Sequence, residues 1–300
     1  MPTIDIHTHP FSGSIEGFVR EMDRAMVSKA AVLFSIRDPA DIDRPEVRER
    51  IVPRLRGEVR DMDILDDMKY YINSLANPSN KDSAELAKRY PGRFIPFGSV
   101  HMHASREIVD SELEEIEELG LYGVKLLPTL QLFNPAESKN FERICEWCEE
   151  KNKVIIYHTG CDPGPFEIPE IAEDANPKYL KPVLERYSPK LVLAHFGAYS
   201  AYHPGLWFDE AVNIARSFEN VFADTSAAVD FLMREDNLAR IRNEVGLERL
   251  LFGSDYPVVG GSSMKSDADL IRTSPHLSDS EKNMVLGENA ERLLGIPAHL

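Results

Sequence analysis

Cysteine is scarce: three occur in 300 residues, and Cys145, Cys148 and Cys161 form an odd set in a chain long enough to need no covalent staples. A disulfide framework is therefore not expected. Positive charge is also in deficit, with 34 Lys plus Arg against 50 Asp plus Glu. The net charge of −16 repels phosphate backbones and anionic membranes, so neither nucleic acid nor a membrane surface is an expected partner. No apolar run approaches the ~20 residues that a bilayer-spanning helix requires. Met1-Pro2-Thr3-Ile4 leads straight into a strand pattern without a basic region and apolar signal core, which gives the expectation of a cytoplasmic protein. Internal repeats, low-complexity tracts and Gly/Ser linkers are missing as well. One domain over residues 1–300 is expected, within the size range of a TIM barrel, which takes about 250 residues before insertions.

What is present is a regular alternation. Short β-branched runs predict strands near 3–7, 30–36, 93–100, 122–127, 153–158, 190–195, 220–225 and 250–254. Between them lie amphipathic stretches at 15–27, 81–90, 105–119, 135–151, 177–187, 207–217 and 230–245. Eight such units favour an α/β fold closed as a (β/α)8 TIM barrel. An open doubly wound sheet is the alternative, but no Gly-rich phosphate turn follows the first strand. A last helix fits 278–294, with Ser278 and Glu281 spaced as a capping box. Cys145-Glu146-Trp147-Cys148 has redox or zinc-knuckle spacing, yet it shares a helical stripe with Phe141 and Ile144, and no second pair exists. Core packing is the preferred reading.

The segment 37–80 is too long for an ordinary strand-to-helix loop. It is expected to be a helical insertion after the second strand that roofs the active site. It carries Arg37, Arg44, Arg48, Arg50, Arg54, Arg56 and Arg60. One of these could hold a substrate carboxylate through two hydrogen bonds; the competing reading is of solvated helix faces that pair with nearby acids.

Four apolar runs end in a metal-ligand type. Ile4-Asp5-Ile6-His7-Thr8-His9 supplies two, and Val154 to His158, Leu191 to His195 and Leu250 to Asp255 supply the others. Strand alternation places His7 and His9 on one side, where their imidazoles can converge on a cation. Neutral imidazoles with one anionic oxygen suit zinc, with a position left open for water. His7, His9, His158 and Asp255 meet that demand.

These residues, in their order, resemble the metal-dependent hydrolases of the amidohydrolase superfamily, in the amidohydrolase 2 group related to aminocarboxymuconate semialdehyde decarboxylase. The likeness is carried by Asp5-Ile6-His7-Thr8-His9-Pro10, Gly98-Ser99-Val100-His101, Gly123-Val124-Lys125-Leu126-Leu127-Pro128 and His158-Thr159-Gly160. It continues through Leu193-Ala194-His195-Phe196-Gly197, Phe252-Gly253-Ser254-Asp255-Tyr256-Pro257 and Asn289-Ala290-Glu291-Arg292-Leu293-Leu294.

By that resemblance, His7, His9, His158 and Asp255 would hold the principal metal, and Asp255 would also accept a proton from the attacking water. His195 would be ligand to a second metal or an acid/base beside a single one. Lys125 matches the lysine that, once carboxylated, bridges two metals in binuclear members; the alternative is a lysine neutralised by an acid or exposed at the rim. One or two divalent ions follow, zinc first, with manganese or iron as alternatives.

His101 and His103 repeat the His-x-His spacing, but Met102 stands where the family commonly has proline. His101 is expected to support the site or face the substrate, and His103 to serve its loop. His203, His276 and His299 read as surface or loop residues. Asp5 either supports the site or faces the barrel interior.

The resulting expectation is a metal-dependent hydrolase cleaving an amide, lactone or ester of a small molecule by metal-activated water. The alternative is a non-oxidative decarboxylase of an unsaturated or aromatic carboxylic acid. A third reading is a non-catalytic, metal-stabilised binding barrel. The partner in each case is a small molecule, with carboxylates among the candidates, and a homodimeric assembly is left open.

Overall fold

The computed structural model describes residues 3–55, 61–258 and 260–296. Eight parallel strands alternate with helices: β1 (Thr3–Thr8), β2 (Val27–Val32), β3 (Phe94–Pro96), β4 (Gly123–Leu126), β5 (Val154–Gly160), β6 (Lys190–Tyr199), β7 (Val221–Asp224) and β8 (Leu250–Leu251). Ladders join β1 to β3 and β4 to β8 in sequence order. Backbone hydrogen bonds cross both remaining seams. Tyr122 N–H donates to the Pro96 carbonyl (2.9 Å), Gly98 N–H to Gly123 (2.9 Å) and Lys125 N–H to Gly98 (2.8 Å). On the other side, Ile6 N–H donates to Phe252, Asp255 N–H to His7 and His9 N–H to Tyr256, each at 2.9 Å. The ring closes, and the fold is a TIM barrel.

Because both faces of a parallel barrel strand are covered, the strands read as nearly continuous apolar runs, and every residue of β5 is buried. One cluster, with Ile4, Ile6, Leu33, Ile156, Val192 and Leu251, joins alternate positions of several strands. A larger one packs the opposite strand faces against the helices, and it contains Phe141, Ile144, Cys145 and Cys148. All three cysteines are buried and unbridged, and Cys145 and Cys148 pack in the core as the helical stripe predicts. At Gly123 a Cβ would lie 1.8 Å from the Val154 carbonyl oxygen, so only glycine lets β4 approach β5 this closely. Among the described residues no helix is long and apolar enough to cross a membrane.

Three predicted helices are interrupted: 230–245 divides into Val229–Leu232 and Glu235–Glu244, and the other two breaks have identifiable reasons. The stretch 177–187 divides into a 3-10 turn (Pro177–Leu180) and a short helix (Lys181–Leu184), with Pro182 at the start of the latter. The last helix starts at its Ser278 cap with the capping box formed, but Met284–Glu288 is π-helical before Asn289–Leu294 resumes the α form. Phe252 N–H donates to the Val285 carbonyl at 2.9 Å and draws that carbonyl toward β8.

The segment after β2 carries helices Pro45–Ile51 and Asp61–Ser74, with 3-10 turns at Pro39–Asp43 and Val52–Leu55. Ile42, Val47, Met68 and Ile72 form a separate core with Leu130, after β4, and Phe166, after β5. Its apolar residues thus rest on the loops at the C-terminal ends of neighbouring strands. Arg44 pairs with Asp41 (2.6 Å), Arg48 with Asp43 (3.8 Å), and Arg50 and Arg54 both with buried Asp174 (2.7 and 2.9 Å). Arg56 and Arg60 lie outside the described residues. Arg37 has no carboxylate within ion-pair distance among the described residues, and its Nε has no hydrogen-bond partner there.

Candidate metal centre

Pairing between β1 and β2 sets three steps of β1, Asp5 to Thr8, against two of β2, Ala30 to Val32. This bulge breaks strict alternation just before the mouth of the barrel. Ile6 stays in the apolar lining, while the rings of His7 and His9 come within 5.3 Å of each other. Their convergence therefore depends on a bulge as well as on strand period. Both Nε2 atoms face Asp255 Oδ1, at 3.5 Å from His7 and 3.0 Å from His9.

The hydrogen bonds assign the tautomers. His9 Nδ1–H donates to the Leu33 carbonyl (3.1 Å), and His7 Nδ1–H donates to Asp224 Oδ2 (2.9 Å). Both leave Nε2 as the free lone pair. His195 Nδ1–H donates to the Ser226 carbonyl (3.0 Å), which also frees Nε2. His158 is reversed: its Nε2–H lies against the carbonyls of Gly160 (3.3 Å) and Cys161 (3.1 Å) and Asp162 Oδ2 (3.2 Å). Its lone pair is on Nδ1, which stands 3.1 Å from His195 Nε2.

Burial holds His158 well below, and His195 below, the ordinary imidazole value, with neighbouring charges as smaller influences. With both rings neutral, the short approach sets lone pair against lone pair. A cation between or beside them relieves that repulsion, so the donor set fits a divalent ion.

Asp255 adds the anion. Burial alone would raise its carboxyl, but the close approach of the His9 and His7 rings and the nearby His195 outweighs it and holds the group below the usual carboxylate range. Asp255 and His195 have φ of 63° and 62°, a left-handed backbone costing roughly 1–3 kcal/mol for such residues. Asp255 N–H is held by the His7 carbonyl, and His195 N–H by Asp224 Oδ1 at 2.9 Å.

Lys125 is 1% exposed, and its Nζ lies 3.1 Å from His7 Nε2. It is neither at the rim nor paired with an acid among the described residues. Burial pushes its ammonium down to about 8, against the opposing pull of Asp224, Asp255 and Asp162. Thus His7, His9, Lys125, His158, His195 and Asp255 all line one cavity. That cavity, about 100 Å3 and open to solvent, is also lined by Phe34, Leu127, Leu130 and Val258 and by Arg37 and Tyr71 of the inserted segment.

Three supporting carboxylates surround the donors. Asp224, fully buried, orients His7 and receives Ser226 N–H (3.0 Å) and the Ser226 hydroxyl. His7, His195 and Asp224 could themselves gather a cation, but the His7 nitrogen facing Asp224 carries the hydrogen-bonded proton, so Asp224 acts on the ring and not on the ion. Asp5 Oδ1 receives His7 N–H (3.2 Å) and Ser254 N–H (3.0 Å), tying β1 to the turn that holds Asp255; burial raises Asp5 to about 8. Asp162 receives the Thr129 hydroxyl, and burial raises it to about 7.

Sequence reasoning passed over Asp224, although Val221-Phe222-Ala223-Asp224 ends an apolar run in a carboxylate just as the other ligand segments do. Asp162 had no such signal. His101 does not face the substrate cavity: its Nδ1 pairs with Glu112 (2.8 Å) on the flank of the barrel, and that hydrogen bond raises its pKa. His103 Nε2 contacts the Gln131 and Leu132 carbonyls (3.1 and 3.0 Å), a loop role. His203 and His276 are exposed, and His299 lies outside the described residues.

The chain resembles several known proteins over almost its full length. A 2-amino-3-carboxymuconate-6-semialdehyde decarboxylase of Dictyostelium discoideum is 23% identical, with 98% of this chain and 91% of that protein covered. The solved structure of an uncharacterised TIM-barrel protein from Bordetella bronchiseptica superposes with a TM-score of 0.71 at 20% identity, covering 98% of this chain and 99% of the other. A probable 2-pyrone-4,6-dicarboxylic acid hydrolase from Acinetobacter baumannii, with citric acid bound, gives 0.64 at 16% identity, covering 99% and 100%. The family model described as Amidohydrolase, of the amidohydrolase 2 group, matches residues 4–296. With that match spanning the whole barrel, the chain belongs to the amidohydrolase family and is an enzyme of its superfamily.

Proposed function

We propose that this enzyme is a metal-dependent hydrolase that cleaves an amide, lactone or ester of a small molecule. The observation that carries the reading is the meeting of unprotonated imidazole nitrogens with an ionised carboxylate at the floor of one cavity. His7, His9, His158 and Asp255 would hold the principal ion, with Lys125 and His195 placed to serve a second. Zinc is the first candidate from the nitrogen-rich donor set; manganese and iron are alternatives. When bound, such an ion supplies Lewis acidity, polarising a carbonyl and acidifying water.

The protein's own groups supply the rest. Asp255, kept ionised by its imidazole neighbours, takes the proton released by water as it attacks. His195, neutral and fixed by Ser226 and Asp224, is placed to hydrogen-bond the reacting oxygen or return the proton to the leaving group. The inserted segment 37–80, in one domain with the barrel, narrows the cavity above them, and Arg37 meets a substrate carboxylate there.

Arg37 also favours a second reading, a non-oxidative decarboxylase of an unsaturated or aromatic acid, the kind of activity that the Dictyostelium relative's name states. The test is metal analysis of protein purified without added metal, beside a panel of lactones, N-acyl compounds and aromatic acids. Hydrolysis without CO2 release supports the first reading. CO2 evolution matching substrate loss replaces it with the second.

A further inference from the structure

We propose that Asp162 is a specificity-determining residue that accepts a hydrogen bond from a hydroxyl or amino group of the substrate. The inference rests on the reading of this cavity as the substrate site.

Asp162 follows β5 and lines the cavity, with only 8% of its surface exposed. Its two oxygens are used unequally. Oδ2 receives the Thr129 hydroxyl and lies 3.2 Å from His158 Nε2. Oδ1 receives no hydrogen bond from any described residue, and it is not among the fully enclosed orphan atoms. That oxygen therefore stays open to the cavity, and a ligand that displaces its water loses affinity unless it brings a donor of its own.

Asp162 is not placed to hold the ion. It sits against the Nε2 edge of His158, whereas the donor lone pair is on the Nδ1 edge turned toward His195. Nor is it consumed by the arginine above it: Arg37 lines the same cavity, but no ion pair joins the two. One cavity therefore presents an unpaired cation and an acceptor-only oxygen as separate features. A ligand matching both carries an anionic group and, apart from it, an O–H or N–H donor. Leu127, Leu130 and Phe34 in the same lining favour an apolar body.

The test uses the full-length, metal-loaded protein at about pH 8, where carboxylates are ionised. The probes are benzoate, the ortho, meta and para hydroxybenzoates, and the methyl ether of each, with affinities measured by calorimetry. At least one hydroxybenzoate should bind roughly tenfold or more tightly than its ether, the usual worth of a hydrogen bond to a buried charge. Asp162→Asn keeps an oxygen for His158 while presenting an amide N–H2 to the cavity. It should abolish that preference and leave metal content and benzoate affinity unchanged.

A preference that survives in D162N, or benzoate binding with no isomer preferred, overturns the assignment and leaves the proposed hydrolase intact. Loss of metal in D162N also overturns it, because Asp162 would then act only through His158. Failure of the wild type to bind any benzoate likewise overturns the assignment, and failure to retain metal removes both readings.

Discussion

Lys125 Nζ stands 3.1 Å from His7 Nε2, the very nitrogen whose lone pair must face a metal once Asp224 has taken the Nδ1 proton. An ammonium there competes with the cation for one donor. Burial lowers Lys125 to about 8, so a neutral amine is accessible near physiological pH. A neutral amine can attack CO2, forming an N–C bond and releasing a proton, and the product is an anionic oxygen ligand in place of a cation.

Lys125 is therefore expected to be carboxylated in the metal-loaded enzyme. Reconstitution with 13C-bicarbonate should give a carbamate carbon resonance, and bicarbonate should speed metal uptake. Lys125→Ala should lower metal content from two ions per chain to one or none. A K125A protein with the wild-type metal content, and no carbamate signal in the wild type, would return Lys125 to the status of a buried amine and His195 to an acid/base role beside one ion.

Much of this arrangement was legible in the chain, for physical reasons specific to each residue. His7, His9, His158, His195 and Asp255 each end an apolar run, and barrel geometry sends the C-terminal ends of strands to one mouth, so order alone brings them together. The tautomers were not legible, because they depend on carbonyls such as those of Leu33, Cys161 and Ser226 that any residue could supply. The β1 bulge was hidden for a similar reason: it is a register relation with β2, invisible in either strand by itself. Arg37 was one of seven equivalent arginines until Arg44, Arg48, Arg50 and Arg54 found partners. The π turn at Met284–Glu288 and the split at Pro177–Leu180 show local propensity giving way to a tertiary hydrogen bond in one case and to proline in the other.

The metal centre should separate ligands from supports by magnitude. Ala in place of His7, His9, His158 or Asp255 is expected to lose the principal ion and the activity together, as measured by elemental analysis and turnover. Asp224→Ala, which removes the orienting partner of His7 and the acceptor of the His195 and Ser226 amides, should weaken metal affinity about 10- to 100-fold while stoichiometric loading remains attainable. His101→Ala, outside the cavity, should keep full metal content. A D224A protein with unchanged affinity would show that Ser226, whose Oγ lies 3.0 Å from His7 Nδ1, is enough to fix the His7 tautomer.

Asp5 should make the metal-free protein less stable as pH rises, against the opposite contribution of the buried imidazoles of His7, His158 and His195. Its folded-state pKa is raised by burial to about 8, against 3.8 for an ordinary aspartate carboxyl. The folded state thus binds more protons than the unfolded state between those values. The stabilisation is fully present below the unfolded pKa and is lost as pH climbs through the folded one. Asp5→Asn keeps an oxygen for the His7 and Ser254 amides and replaces the partnerless Oδ2 with a neutral group. Melting curves of metal-free protein from about pH 5 to 8 should show the wild type losing a few °C relative to D5N. Parallel curves for the two proteins would mean that Asp5 is not the titrating group.

The inserted segment should owe its seat to one carboxylate. Asp174, 3% exposed, receives Arg50 Nε at 2.7 Å and Arg54 Nη2 at 2.9 Å from the insertion, and Asn134 Nδ2 at 2.9 Å from the loop after β4. Asp174→Ala would leave two largely buried guanidinium groups without their anion. Breaking a buried pair in that way costs about 3–5 kcal/mol, and the partial exposure of both arginines places the expectation near the lower figure. Since the apolar contacts of Ile42, Val47 and Met68 with Leu130 and Phe166 remain, the barrel should stay folded while the insertion opens more often. Limited proteolysis should then cleave within 37–80 faster than in the wild type, and KM should rise with metal content unchanged, because no ligand of the ion contacts Asp174 in the hydrogen-bond network. Asp174→Asn, which keeps one acceptor oxygen, should fall between the two. Equal proteolysis rates for wild type and D174A would locate the hold on the insertion in its apolar core instead of in this ion pair.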